Sequence, residues 1–395
     1  MEIRRYTLDD YPQSYRLSVE AFGQQPGGMP PQPTSLPEGR EVWLALDGPE
    51  LVARVAAHTY ASWWHGSSVA TCGIASVAVA PERRGEGLLL PVFRAALAAA
   101  AERGEVLSTL FPTANGIYRP LGYELVASFD TVVIPTAELA GVRAPVATRT
   151  RRAAPADVPA LKAVYDEWAA AQNGPLTRTG PRFAATDQEL VDDVTAVSLA
   201  VDADDRVVGY AQWDRGAGYD PTTSSLEVHD LVATTADGYR ALWRMLGTHT
   251  SVAGTVRLRT SGEDPARLVL PTATWDVVSR HPYMLRVDDP AAALTAAAPT
   301  VPGLEAEVGF AVAGDRLGTA DGSYLLTVGA DGTVCEATTA TDGPTFTTQG
   351  LALKYAGAQS CANLRMTGHL TGPTTHDAVL DALLGSRPLH IRDYF

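Results

Sequence analysis

Val77-Ala-Val-Ala-Pro-Glu-Arg-Arg-Gly-Glu-Gly-Leu88 reads as a strand, a turn with paired arginines and alternating glycines, and the opening of a helix. A helix N-terminus presents unpaired N–H groups and a partial positive charge, which suits an anion. Gly85 and Gly87 let the backbone come close to a phosphate, and Arg83 and Arg84 add charge-assisted bonds. No Gly-Lys-Ser/Thr is present, so the stretch is not a Walker loop, and its glycine spacing is not that of the dinucleotide fingerprint. It predicts phosphate binding at a strand-to-helix step.

Outward from this step, the pattern is regular. Residues 2–6 are strand-like. Thr7-Leu-Asp-Asp10 forms a capping box ahead of Tyr11, Tyr15, Val19 and Phe22 at helical spacing. Gln24 to Gly39 is rich in Pro and Gly and predicts a loop or lid. Strands are expected at 43–46, 51–60, 70–80, 106–110 and 124–135, and helices at 88–103 and 116–121. The order is β-α-β-β-β-α-β-α-β.

Part of this pattern repeats. Ile3-Arg-Arg-Tyr-Thr-Leu-Asp-Asp-Tyr-Pro12 matches Thr150-Arg-Arg-Ala-Ala-Pro-Ala-Asp-Val-Pro159 at an offset of 147. Trp43-Leu-Ala-Leu-Asp47 and Ser76-Val-Ala78 match Ser198-Leu-Ala-Val-Asp202 and Leu231-Val-Ala233, both at 155. One insertion in a loop accounts for the difference. After Ala233 the second copy has Thr-Thr-Ala-Asp-Gly-Tyr239, without the arginine pair, so only the first copy is expected to bind phosphate. Pro290 to Gly303 reads as a linker. Beyond it, strand-like runs at 306–312 and 322–328 and helical segments at 349–356 and 377–384 predict an α+β unit.

The expected domains are thus 1–147, 148–289 and 290–395, which agrees with the two or three suggested by 395 residues. A hydrophobic fraction of 46% marks a globular chain. No apolar run reaches the ~18 residues of a spanning helix, and the N-terminus lacks the apolar core of a secretory signal. With three distant cysteines and no metal-ligand spacing, neither a disulfide framework nor a metal site is expected, and a cytoplasmic setting fits. The balance of 31 basic to 45 acidic residues argues against nucleic-acid binding and permits a cationic substrate.

The Val-x-Val-x-Pro-x-Arg-Arg-Gly-x-Gly run at a strand-to-helix step resembles the acetyl-CoA motif of Gcn5-related N-acetyltransferases (GNATs). Asn115-Gly-Ile-Tyr-Arg-Pro-Leu-Gly-Tyr123 resembles their later Tyr-x-x-x-Gly-Tyr/Phe motif. Leu89 stands where most members carry Gly or Ala. Two GNAT-like copies, an α+β end and a terminal Asp393-Tyr-Phe395 together resemble the enhanced intracellular survival (Eis) family, which also has the Leu88-Leu89 pair. The resemblance implies two tandem GNAT-like mixed α/β domains, the second degenerate, and a sterol-carrier-protein-like α+β third domain. It implies an aminoglycoside-like amine acceptor and a homo-oligomer, a hexamer built as a dimer of trimers. Those relatives carry acids where this chain has Gln24-Gln25 and Tyr394.

On that resemblance, Val77, Ala78 and Val79 would hold pantetheine, with the Val79 N–H as oxyanion donor. Arg83, Arg84, Gly85, Gly87 and Leu88 would face the pyrophosphate, and Thr113 and Asn115 would lie nearby. Tyr118 would be the general acid, Tyr123 a core residue, and the Phe395 carboxylate the general base. The acceptor wall is expected from Glu20, Phe22, Trp43, Trp63, Trp64 and Tyr394, with Glu38 and Glu41 as further carboxylates. His65, His229-Asp230 and Cys72 read as structural. Two other readings compete: acetylation of protein or peptide lysines, and a non-enzymatic acyl-CoA- or lipid-binding protein.

Overall fold

Two copies of one fold share a single sheet. The computed structural model describes every residue except Gln25, Glu263, Ala273, Thr274 and Asp331. The first copy contains β1 (Glu2–Arg5), α1 (Tyr11–Phe22), β2 (Arg40–Asp47), β3 (Glu50–Trp64) and β4 (Ser67–Val79). It continues through α2 (Leu89–Glu102), β5 (Leu107–Leu110), α3 (Asn115–Tyr118) and β6 (Glu124–Pro135). The second copy runs β7 (Arg149–Arg152), α4 (Val158–Ala170), α5 (Asp187–Asp192), β8 (Ala196–Val201), β9 (Val207–Arg215) and β10 (Ser225–Ala233). It ends with α6 (Ala236–Gly247), β11 (Thr255–Thr260) and β12 (Asp276–Val287).

The duplication shows in side chains. Asp10 accepts from the Thr7 N–H and pairs with Arg4 at 2.7 Å. Asp157 accepts from the Ala154 N–H and pairs with Arg151 at 2.7 Å, again at an offset of 147. In each copy the arginine hydrogen bond holds the aspartate down to about 2, so both turns stay tied at neutral pH.

The sheet order is β1-β2-β3-β4-β5-β12-β6-β11-β10-β9-β8-β7. Each copy has given its last strand to the other. β12 sits between β5 and β6, and β6 lies between β12 and β11. The expected boundary near residue 147 separates the copies in sequence, while hydrogen bonding runs through both.

The third unit carries a second sheet, in the order β15-β14-β13-β16-β17. Its strands are β13 (Ala306–Ala313), β14 (Gly322–Gly329), β15 (Gly332–Thr338), β16 (Thr345–Thr347) and β17 (Leu370–Thr371). The expected linker at 290–303 is instead largely a helix, Pro290–Ala297. Asp289 caps it by accepting from the Ala292 N–H, and Pro290 occupies the first turn, where no N–H is needed. Ala293, Leu294 and Ala297 bury its inner face in the third unit's core. Arg286, on β12, is fully buried and ties the units together, bonding Asp288, Asp315, Thr319 and the Leu121 carbonyl.

Candidate active site

β4 and β5 pair in parallel only from Thr71–Leu107 to Ile74–Leu110. Beyond Ile74 the β3–β4 register shifts, and Ser76 takes φ +50, a conformation uncommon outside glycine. β5 has ended by then, so the two strands separate. Ala80 N–H donates to the Val52 carbonyl at 2.9 Å. Antiparallel residues alternate between a strand's two sides, so Ala78 also faces β3 while the Val79 N–H and C=O face the open edge. Such an edge accepts an extended chain as an added strand.

The turn after β4 places Gly85 at φ +87 and Gly87 at φ +76. A Cβ at either would meet nothing within 4 Å, so conformation rather than space calls for glycine. α2 begins at Leu89, which puts Pro91 in the first turn, where its missing N–H costs no helix bond. A cavity of about 510 Å³ opens here, lined by Val77, Ala78, Val79, Arg83, Arg84, Gly85, Gly87, Leu88, Thr113 and Tyr118, among others. Asn115 opens the helix that ends at Tyr118 but is not in this lining. Arg83 is tied to Glu86 and Asp47, each at 2.9 Å, whereas Arg84 has no such partner among the described residues. Arg316 of the third unit also lines the cavity, and its carbonyl accepts from Arg94 at 2.7 Å. No sequence signal near residue 316 marked it.

Tyr118 closes α3 and is 5% exposed; burial pushes its phenol up to about 12. It stays protonated at neutral pH, as a proton donor must. Tyr123 is fully buried and shares a 2.7 Å hydrogen bond with Ser108.

The Phe395 ring packs 5.0 Å from Tyr60 and 5.4 Å from Phe111. Gly73 of β4 makes room for it. A Cβ there would lie 2.8 Å from Phe395 Cε2 and 2.6 Å from Tyr60 Cε2. Gly73 went unnoticed in the sequence, because a strand glycine has no signature of what leans on it.

The tail reaches this point through the second copy. The Pro388 carbonyl accepts from the Asn173 N–H at 2.8 Å, and the His390 N–H donates to the Asn173 carbonyl at 2.9 Å. β10 and β11 pair in parallel from Ser225–Thr255 to Val228–Leu258, then part as β4 and β5 do. Arg392 bridges the parting, donating to the Arg259 carbonyl at 2.8 Å and the Leu231 carbonyl at 3.3 Å. Its guanidinium lies 3.3 Å from Asp230, Arg178 joins Asp230 at 2.5 Å, and Asp393 joins Arg178 at 3.0 Å. Burial opposes ionisation of Asp230, but Arg178 and Arg392 outweigh it and hold its carboxyl below the usual range. Of this network, Asp230 stood out in the sequence as a structural residue and Asp393 as part of the terminal Asp393-Tyr-Phe395.

The residues expected at the acceptor wall are placed by their strands and partners. Along β2, Val42 and Leu44 pack beneath α1, while Trp43 and Ala45 join the core under α2. The strand's period of two puts Glu41 with Trp43. Glu41 pairs with Arg103 at 3.1 Å and Arg5 at 3.5 Å, and Arg5 also lies over Trp43 at 5.3 Å. Trp64 is fully buried, bonds Ser62 and packs on Tyr355 of the third unit. Trp63 packs into the second copy's core with Tyr165 and Trp168. All three tryptophans pack against the hydrophobic cores. Glu20 and Glu38 are exposed. Phe22 lines the cavity beside the glycine turn, and Tyr394 is 57% exposed, its ring tilted 40° against Phe111 at 4.5 Å. The expected lid folds back on α1, where Tyr11 donates to the Pro30 carbonyl and Gln32 to that of Leu8. Gln25 lies outside the described residues. Cys72 is buried, its thiol pushed well up by desolvation, which makes it inert.

A parted β4–β5 pair, a glycine turn into α2 and a buried tyrosine at the cleft define an acyl-CoA-dependent transferase of the GNAT class. The comparisons agree. Residues 2–126 and 174–287 each match a family described as an acetyltransferase (GNAT) domain, and 282–391 match a sterol carrier protein domain. A protein of Streptomyces avermitilis named as an uncharacterized N-acetyltransferase is 30% identical over 348 residues, covering 81% of this chain and 79% of its own. The chain belongs to this family of GNAT N-acetyltransferases. Among solved structures, a GCN5-related N-acetyltransferase from Kribbella flavida superposes with a TM-score of 0.82 at 27% identity, covering 100% of this chain and 98% of its own. Eis1 from Mycobacterium abscessus superposes with a TM-score of 0.76 at 22% identity over all of both chains, so the architecture is Eis-like.

Proposed function

We propose that the chain transfers acetyl from acetyl-CoA to a primary amine of a small molecule, with Tyr118 as general acid and the Phe395 carboxylate as general base. The observation that carries this reading is the seating of Phe395 on Gly73, in the strand that goes on to present the Val79 N–H. The amine nitrogen attacks the thioester carbonyl, and the carboxylate of Phe395 takes its proton. The Val79 N–H faces the developing oxyanion, a role typically worth ~2.7–4 kcal/mol. The C–S bond breaks, and Tyr118 protonates the departing thiolate. Arg84, beside the glycine turn and without an ion pair among the described residues, would meet the pyrophosphate.

The resemblance implies a hexameric assembly, which belongs to the proposal, and an aminoglycoside-like polyamine as one acceptor to be tested against other amines. The lipid- or acyl-CoA-binding reading would need room in the third unit, where a cavity of about 630 Å³, lined by Leu353, Leu364 and Met366 among others, opens at the surface. In its core, the void between Phe310, Leu326, Phe346, Leu351 and Leu384 is about 10 Å³, about the space of one water. Release of CoA thiol with a panel of amines, followed with a thiol-reactive dye, tests the activity. Deleting Phe395 alone should abolish turnover while acetyl-CoA binding persists. Full turnover in the truncation would place the base elsewhere, and no thiol release with any amine would end the enzymatic reading.

A further inference from the structure

On the α1 side of β2 and β3, beside the seat of Phe395 on Tyr60, cationic side chains gather. The period-two alternation that sets Trp43 under α2 sets Arg40 under α1, and Arg40 is paired in register with His58 across β2–β3. Arg54 and Tyr60 share that face of β3. Arg54 is 8% exposed and is fixed by Ser14 Oγ at 2.6 Å and by the Ser76 carbonyl of the bulge at 3.3 Å. Arg182, from the second copy, lies close to the Tyr60 hydroxyl, while Phe183 packs 6.1 Å from the Tyr60 ring.

Among the described residues none of these three arginines is ion-paired, either to a side chain or to the chain terminus. Arg40 Nε and His58 Nδ1 are buried with no hydrogen-bond partner, and His58 is only 6% exposed. Burial, with Arg182 and Arg40 close by, pushes His58 down to about 4, so it is neutral and able to donate. Arg54 is buried, Arg40 half-buried and Arg182 exposed, and cations drawn out of water without a counter-ion are costly in proportion to their burial. The nearest aspartate on the tail, Asp393, is already joined to Arg178. Glu41 faces away with Trp43. A polycation entering here would meet like charge.

We infer that the acceptor, on the reading of the chain as an acetyltransferase, is an amine that also carries an oxyanion, bound by Arg40, Arg182 and His58 while its amino group faces the Phe395 carboxylate. The anion fills the charge deficit of the cleft, and its distance from the amine selects the substrate. Guanidinium groups suit both carboxylate and phosphate.

The test pairs ω-amino acids with amino alcohols of matched chain lengths, adds amino alcohol O-phosphates and an aminoglycoside, and reads thiol release from acetyl-CoA. Hydrogen bonds to charged groups set the scale, so at the best length the anionic amine should exceed the alcohol about 10–100-fold in kcat/KM, mostly through KM. Preference for the amino acids assigns a carboxylate; preference for the O-phosphates assigns a phosphate. Arg182→Gln, at an exposed loop position, should bring the ratio of anionic to neutral amine towards one. Turnover that favours the alcohols or the aminoglycoside, or a ratio unmoved by Arg182→Gln, would overturn the anion site and leave acetyl transfer standing. Silence with every amine would overturn both, with acetyl-CoA binding showing whether the transferase reading itself had failed.

Discussion

Gly73→Ala tests the seating of the C-terminal residue without touching a proposed catalytic group. The new Cβ would stand 2.8 Å from Phe395 Cε2 and 2.6 Å from Tyr60 Cε2. Carbon atoms rest about 3.5–4.0 Å apart, so something must recede by about 1 Å. Tyr60 is 6% exposed, packed against Phe183 and fixed within β3. Phe395 is the chain end and is the part that yields. A displacement of about 1 Å at a reacting group can cost about 10²-fold in rate. Overpacking should cost about 1–3 kcal/mol of stability. The expected result is therefore a kcat lower by about 10²-fold, a small fall in Tm, and unchanged acetyl-CoA affinity. Adding Phe395→Leu, which removes the clashing ring atom and keeps the terminal carboxylate, should restore part of kcat. A Gly73→Ala enzyme that loses stability but keeps kcat within about twofold would refute the reasoning, because the carboxylate could then move without consequence.

Tyr118→Phe should lower kcat by about 10²-fold or more while acetyl-CoA still binds; unchanged kcat removes Tyr118 as the acid. Burial raises the Tyr118 phenol to about 12. An unfolded tyrosine ionises near pH 10, so the stabilisation is full below that and is lost as pH rises towards 12. Alkaline unfolding of Tyr118→Phe should accordingly be less steep across that window, and identical curves would contradict the burial effect. Asp230→Asn leaves Arg178 and Arg392 buried with a missing charge, and should cost about 3–5 kcal/mol in denaturant unfolding; a loss under about 1 kcal/mol would show that the network does not hold the tail.

Elements set by local pattern were legible in the sequence. The Thr7–Asp10 turn, the glycine turn and Tyr118 each depend on neighbours a few residues away. The exchange of β6 and β12 was not legible, because a strand's period of two fixes its faces but not its partner. The packing of the tryptophans was hidden for a related reason. Trp43 and Trp64 sit in strands whose burial comes from Arg5 and Tyr355, far away in sequence. Glu41 looked available until Arg103 and Arg5 took it. The 290–303 stretch, rich in alanine and proline, reads as a linker when only composition is weighed. Asp289 as cap and Pro290 in the first turn are the signal that makes it a helix.

The second copy explains why a transferase keeps a half without a phosphate loop. Both copies part their central parallel strands at equivalent points, Ile74–Leu110 and Val228–Leu258. Parting strands leaves carbonyls and amides without ladder partners, and each buried one costs about 1–3 kcal/mol if nothing replaces the bond. In the first copy the open edge at Val79 is where an extended substrate chain would add. In the second, Arg392 supplies the bonds to Leu231 and Arg259, so the tail plays the part that the ligand would. The same residue lies 3.3 Å from Asp230, which carries the link on through Arg178 to Asp393, two residues from the chain end. A cleft that no longer needs a ligand has become the clamp that aims Phe395 at Gly73. Substitutions around Asp230 should therefore alter kcat in the first copy, although that copy's own lining is unchanged.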